Sequence, residues 1–440
     1  MNEETKIASR RRLLSLSTAG GMMAMLETPP MAQAAEPGAP ASPWSNVKTF
    51  GAAGDAATDD TAAFQKAMDA AAKSGSMTVY APPGKYLFRG VLNVPNGVTL
   101  RGSYTCVPSH TGLRDNVQPK PGDDGTAFFV TAEKGKENGN PFITLNTNSS
   151  LCGMTIYYPE QVTDAAPIPY PWTIVMRGKN PALFDVELLN PYQGIDASRN
   201  ERHNIRNITG QPLRTGIYVD AIYDIGRIEN VHFNPWWSGR KKVYDWQTEN
   251  GEAFVFGRAD WEYVINTFCF GYRVGYKFIK SATGECNGNF LGIGADDCNR
   301  AVLVEQSAPY GILIANAEFT SFHGNDPTMV EVGPAHHGVV RISNSAFWGP
   351  CNQIARIGGP GTVGFTDCTF VQWGKEKEVA AIQASGGSLL IRGCDFRQKK
   401  QHISIAEGVR AIVTGNLFAG APQIQNASGV NAQIALNVGS

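Results

Sequence analysis

Two adjacent carboxylates, Asp296 and Asp297, and an imidazole at His323 are the side chains of this sequence best suited to move protons. A carboxyl group kept protonated by burial or by a like charge can protonate a leaving oxygen, while a second carboxylate activates water. That is the chemistry of glycosidic-bond hydrolysis, which needs two acids flanking the bond. Asp260 and Glu252 are the candidates for the facing acid, and His323 would tune the pair. Trp236, Trp237 and Trp261 offer flat rings for sugar faces, while Arg273 and Arg258 offer guanidinium groups for an anionic or polyhydroxyl substrate. In a β-elimination, acidic residues would bind Ca2+ to neutralise a uronate, and Arg273, Lys277 or Tyr272 would remove the proton beside its carboxylate. A carbohydrate-binding protein without catalysis would keep the tryptophans and not need the acids. Each residue also has a plain alternative: the aspartates cap turns, and the tryptophans pack a loop onto the body.

A short repeat is what could bring these residues together. It reads aliphatic, any, Asn/Asp/Gly, small or β-branched, any, apolar. It occurs at Ile228–Phe233, Ile314–Phe319, Ile342–Phe347, Phe365–Phe370, Ile391–Phe396 and Val413–Phe418. Looser copies end at Ile156, Leu188, Gly210, Cys269 and about Leu291. Asn, Asp and Gly tolerate a left-handed backbone, so the chain bends there and the in/out alternation resets. From Phe319 onward the spacings are 28, 23, 26 and 22 residues, one solenoid coil each. Coils stack about 4.8 Å apart, so equivalent positions form ladders. Phe319, Phe347, Phe370, Phe396 and Phe418 are predicted to be one internal ladder, and Ala317, Ser345, Cys368, Cys394 and Asn416 another.

Counting onward from the apolar end of each coil, Trp237 lies four past Phe233, Arg273 four past Cys269, and His323 four past Phe319. Asp296 and Asp297 lie five and six past Leu291. This count aligns them in one stripe on successive coils. Two coils are overlong, at 32 residues from Ile156 to Leu188 and 36 from Phe233 to Cys269. The surplus is expected to leave the solenoid as loops that build a binding face. The second loop, 234–262, would cover the stripe and present Glu252 and Asp260 to it.

Residues 46–55 read as the start of the fold. In the helical pattern that follows, Phe64, Ala67, Met68 and Ala71 share one face, and Thr58, Asp59 or Asp60 supplies the N-cap. The run FGAAGDAATDDTAAFQKAMDAA, with VYAPPGKYLF and VTLRGS after it, resembles the N-terminal signature of the rhamnogalacturonase/epimerase-like branch of pectate-lyase-type β-helices. The resemblance implies a single-stranded right-handed parallel β-helix, with a short helix over residues 60–73 capping its N-terminal end, and a carbohydrate substrate. Three fragments, Gly294-Ala295-Asp296-Asp297, Phe322-His323-Gly324 and Arg341-Ile342-Ser343, resemble in order the active-site motifs of polygalacturonase-type glycoside hydrolases. The remaining motif of that family corresponds to Asn266-Thr267-Phe268, which lacks the carboxylate. The reaction expected is glycoside hydrolysis, with a polysaccharide lyase as the alternative.

Composition is consistent with many short strands and turns: 48 Gly and 18% charged residues in 440. A net charge of −1 excludes a polybasic nucleic-acid binder. Residues 1–35 read as an export signal: Arg10-Arg11 before a weakly apolar stretch resembles a twin-arginine signal, and Ala32-Gln33-Ala34-Ala35 a cleavage site. A linker, 36–45, and one β-helix domain, 46–440, would follow, placing the mature protein in the periplasm or outside the cell. No stretch is long enough to insert in a membrane. No metal pattern is present in the spacing of the eight cysteines, which read as packed thiols. No cofactor is expected, Ca2+ in the lyase alternative excepted. The partner expected is a polysaccharide or oligosaccharide.

Overall fold

The computed structural model describes residues 44–110 and 119–440. The export segment and most of the linker fall outside these residues. The chain winds as a single-stranded right-handed parallel β-helix. One coil shows the plan. Strand Cys286–Leu291 belongs to sheet I, the chain bends at Gly292, strand Gly294–Asp296 belongs to sheet II, and strand Arg300–Val304 belongs to sheet III. Sheet III has 13 strands stacked in chain order, and sheets I and II run continuously beside each other through the bend.

The bend is where the repeat placed it. Asp185, Asn207, Asn230, Asn266, Asn316, Asn344 and Asp367 all have φ between 46° and 56°. Their side chains also stack: Asn230 donates to Asn207 at 2.8 Å, and Asn344 to Asn316 at 2.7 Å. An amide ladder satisfies polar groups that a left-handed corner would otherwise leave to water. Behind it runs the aromatic core. Phe319, Phe347, Phe370, Phe396 and Phe418 are buried, with successive ring centroids 5.6, 5.2, 4.7 and 4.8 Å apart. Cys368 and Cys394 sit as neighbouring thiols two positions before this ladder, and all eight cysteines are unpaired.

Helix α1 (Thr61–Ser74) closes the N-terminal end. It buries Phe64 edge-on against Tyr86, Phe88 and Phe128, with Ala67, Met68 and Ala71 along the same face. The two aspartates before it divide their work. Asp59 accepts the Thr61 backbone N–H at 3.1 Å, whereas Asp60 turns inward to accept those of Ala53 and Gly54.

His336 gives the fold a pH dependence. It is fully buried, with Nε2 2.8 Å from the Ser307 hydroxyl and Nδ1 without a partner among the described residues. Burial disfavours the imidazolium and lowers its pKa from 6.5 to about 4. Between those values the unfolded chain binds the proton and the folded chain does not. Stability is therefore expected to fall as pH drops through this window, by at most about 3 kcal/mol. Chemical denaturation across the window measures it, and His336→Gln should flatten the slope. An equal slope in both proteins would assign the acid sensitivity elsewhere.

Candidate active site

Register decides which residues meet. Cys269, Ala295 and Phe319 are equivalent on successive coils, so the inward position of the middle coil is Ala295 and not Leu291. Asp296 is thus the coil equivalent of Phe270 and stands on the outer side of sheet II, next to Thr320 of the following coil. Asp297 follows at the corner between sheets II and III, with φ of 49°. His323 comes from the next coil's corner loop, whose backbone is held where Asn299 donates to the carbonyls of His323 and Asn325, both at 2.9 Å.

The long insertion after Phe233 contains a helix that the sequence reading missed, α2 (Lys241–Asn250). Its segment docks at the same corner, burying Trp237 and Val243 against Leu189 and Leu213. Tyr244 of α2 lies over Gly271, where a Cβ would come within 2.7 Å of its ring. The Tyr244 hydroxyl donates to Asp297 Oδ2. His323 Nδ1 lies 3.6 Å from the same oxygen, and the Tyr244 and His323 rings meet edge-on at 5.6 Å. Thr320 clamps the pair of acids: its hydroxyl donates to Asp296 Oδ1 at 2.5 Å and accepts the Asp297 backbone N–H at 3.0 Å.

The cluster is electrostatically unusual. Burial pushes the Asp297 carboxyl above the ordinary range; Tyr244 and His323 pull the other way without cancelling it. Burial and the neighbouring Asp297 carboxylate together push the Tyr244 phenol well up, so it stays a donor. Asp297 Oδ1 is buried with no partner among the described residues. A carboxyl–imidazole–phenol set of this kind can orient an imidazole and pass a proton.

Other expected site residues are placed differently. Glu252 and Asp260 are not in a covering loop. Residues 252–256 and 259–265 are strands of sheets III and I, because the insertion ends with α2 and the coil resumes at Glu252. Glu252 is nearly buried and paired to Arg273, and to Lys277 at 3.3 Å, which neutralises it on the sheet III side of the corner. Asp260 pairs with Arg258 at 2.8 Å, and with Trp261 they occupy the corner between sheets III and I. That corner is at the other end of the sheet III strands from Asp296 and Asp297, so no facing acid is assembled from them. Trp237 is only 4% exposed and anchors the insertion, which corrects its expected role against sugar. Trp236 does reach the sheet II face, its ring 4.7 Å from that of His232.

The sequence reading also passed over residues at the other end of that face. Segment 104–110 crosses it, fixed where Thr209 donates to the Pro108 carbonyl at 2.7 Å. It brings the His110 ring 2.5 Å from the buried carboxylate of Glu187, which also accepts from Thr155 at 2.9 Å. Asp124 lies 3.5 Å from the other ring nitrogen and accepts from Tyr104 at 2.7 Å. This second acid–imidazole cluster is four coil steps, roughly 19 Å, from Asp296 along one face. The only signal for it was coil register, since Thr155, Glu187, Thr209 and His232 form one outward ladder. Among the described residues no three His, Cys, Asp or Glu side chains are grouped to hold a metal ion, and no helix is long and apolar enough to cross a membrane.

Residues 44–158 match the family model described as "Rhamnogalacturonase A/epimerase, pectate lyase-like". The mannuronan C5-epimerase AlgE5 of Azotobacter vinelandii is 58% identical over 96 residues, which are 22% of this chain and 10% of that protein. Alginate lyase 7 of the same organism is 60% identical over 45 residues, which are 10% of this chain and 5% of that protein. The matched segments thus span a tenth or less of these relatives' own length. Among solved structures, the catalytic unit of a GH87 α-1,3-glucanase from Streptomyces thermodiastaticus strain HF3-3 shares the fold. It has a TM-score of 0.51 at 13% identity, covering 89% of this chain and 71% of that one.

Proposed function

We propose, for a chain whose residues 44–158 match a pectate-lyase-like family, that it acts on an acidic polysaccharide by proton transfer beside a uronate carboxylate. The observation that carries this reading is the cluster of Asp297, His323 and Tyr244, with no facing carboxylate supplied by Glu252 or Asp260. Removing a proton from the carbon next to a carboxylate needs a base and a group that neutralises the charge developing there. His323 is the base, oriented through Nδ1 by Asp297. Arg273, half-exposed at the same corner, is the cation nearest in kind to the second need. Elimination and epimerisation at a uronate both begin with this step. A mannuronan epimerase and an alginate lyase among the proteins with similar segments support it.

A second reading, glycoside hydrolysis, is favoured by one observation: Asp297 is buried with raised proton affinity while Asp296 stands outward beside it. There Asp297 would be the acid and Asp296 the base. The test is product analysis on polymannuronate and polygalacturonate in deuterated water. Ultraviolet absorbance of a new double bond, or deuterium entering the uronate ring, is the expected result. New reducing ends without either would establish hydrolysis, and no change in any polymer would leave a binding protein.

In the elimination route Ca2+ would take the place of Arg273, and among the described residues no three His, Cys, Asp or Glu side chains are grouped to hold it. Turnover is therefore expected to survive a chelator and to fall in Arg273→Gln. Loss of activity on chelation, restored by added Ca2+, would transfer the neutralising role from Arg273 to the ion.

A further inference from the structure

The corner between sheets III and I carries an unusual piece of backbone. Strand Ala259–Ile265 bulges against Cys286–Leu291 between Ala259 and Glu262. Within the bulge Trp261 has φ of 64°, a left-handed conformation that is costly for a bulky aromatic residue. The following residue fixes the geometry. Glu262 turns inward, fully buried, with Oε1 2.9 Å from Nε2 of the equally buried His203. Gly226 leaves the room for this pair, since a Cβ there would come within 2.3 Å of both. With Glu262 pinned inside, Trp261 is driven outward and is 57% exposed. Bulges re-aim side chains, and strain that the fold maintains is a reason to ask what the re-aimed ring does.

It forms one wall of a cleft of about 580 Å³ that also takes in Asn287, Asn289 and Tyr310, the last 80% exposed. Through Asn289 and Leu313 the cleft continues into a hollow of about 440 Å³ on the outer side of sheet I. The far hollow is lined by Arg341, whose Nη1 is buried with no partner among the described residues. Flat rings suit the C–H faces of pyranoses, side-chain amides suit hydroxyls, and an unpaired guanidinium suits a carboxylate. We infer that this groove is a binding site for an acidic oligosaccharide, separate from the reacting edge between sheets II and III. The inference shares with the proposed function only the acidic character of the polymer and needs no turnover.

The test is binding of a mannuronate hexamer, and of a neutral mannose hexamer, to the full chain carrying Asp297→Asn, followed by titration calorimetry. Added Trp261→Ala should weaken the acidic hexamer by about tenfold or more, with Tyr310→Ala acting in the same direction. Arg341→Gln should weaken the acidic hexamer and leave the neutral one unchanged. Trp261 and Tyr310 are exposed, so these variants are expected to keep the parent's melting temperature. Equal binding of the acidic hexamer by the parent and all three variants overturns the assignment, as does no binding of either hexamer. Equal loss of both hexamers in Arg341→Gln overturns its acidic specificity. Product analysis of the unsubstituted chain decides the proposed reaction independently.

Discussion

Asp297→Asn is expected to lower turnover by about a hundredfold to ten-thousandfold while the protein melts close to the parent's temperature. Asparagine is nearly isosteric and still accepts the Tyr244 hydroxyl, so the corner keeps its shape. It can neither take a proton nor hold the His323 imidazole electrostatically. The pH profile separates the two chemistries. If His323 abstracts the proton, it must be neutral and Asp297 ionised, so activity rises with pH through the elevated Asp297 pKa. If Asp297 is the acid of a hydrolase, activity falls as pH rises through the same value. Initial rates across pH with both proteins, and a melting curve for each, make the measurement. Turnover equal to the parent's would remove Asp297 from the mechanism and direct attention to His110 and Glu187.

Phe370→Ala should cost about 3–5 kcal/mol in unfolding free energy. Phe370 is fully buried between Phe347 and Phe396, and Phe365 packs edge-on at 5.7 Å. Removing the ring leaves a void that adjacent coils cannot close, because their spacing is fixed by the backbone ladders. Leu417→Ala, an exposed position beside Phe418, is the matched control and should change little. Denaturant melts of the two variants compare them. A small loss at Phe370 would mean that the aromatic ladder contributes less to stability than its burial implies.

The solenoid was legible because its two determinants are local: a left-handed corner residue and an apolar residue three positions later. The same pattern, read with small residues admitted, fits Phe290-Leu291-Gly292-Ile293-Gly294-Ala295. Placing the coil end at Leu291 failed because alanine carries so little apolar signal at the inward position. That slip of four residues is why Trp237 and Asp296 were counted into one stripe. Asp297 and His323 nevertheless belong to adjacent corners, since a corner tolerates the error that a strand does not. The helix α2 was illegible. Only Val243, Gln247 and Thr248 of it are buried, and Arg240 at its N-cap position makes no side-chain cap. The overlong spacing showed that a coil held extra residues, but not where in the coil they leave it. Glu252 and Asp260 were therefore assigned to a loop when they belong to strands.

Tyr244 rides on an insertion, whereas Asp297 rides on the solenoid itself, and this has a thermodynamic corollary. Burial raises the proton affinity of the carboxyl, while the Tyr244 hydroxyl carried by α2 lowers it. Lifting α2 would wet the carboxyl and also remove that donor, two changes that act on its proton affinity in opposite directions. By linkage the dependence is reciprocal: the larger of the two sets whether a proton on Asp297 holds the helix down or loosens its seat. Cover and charge at this corner are two readings of one equilibrium.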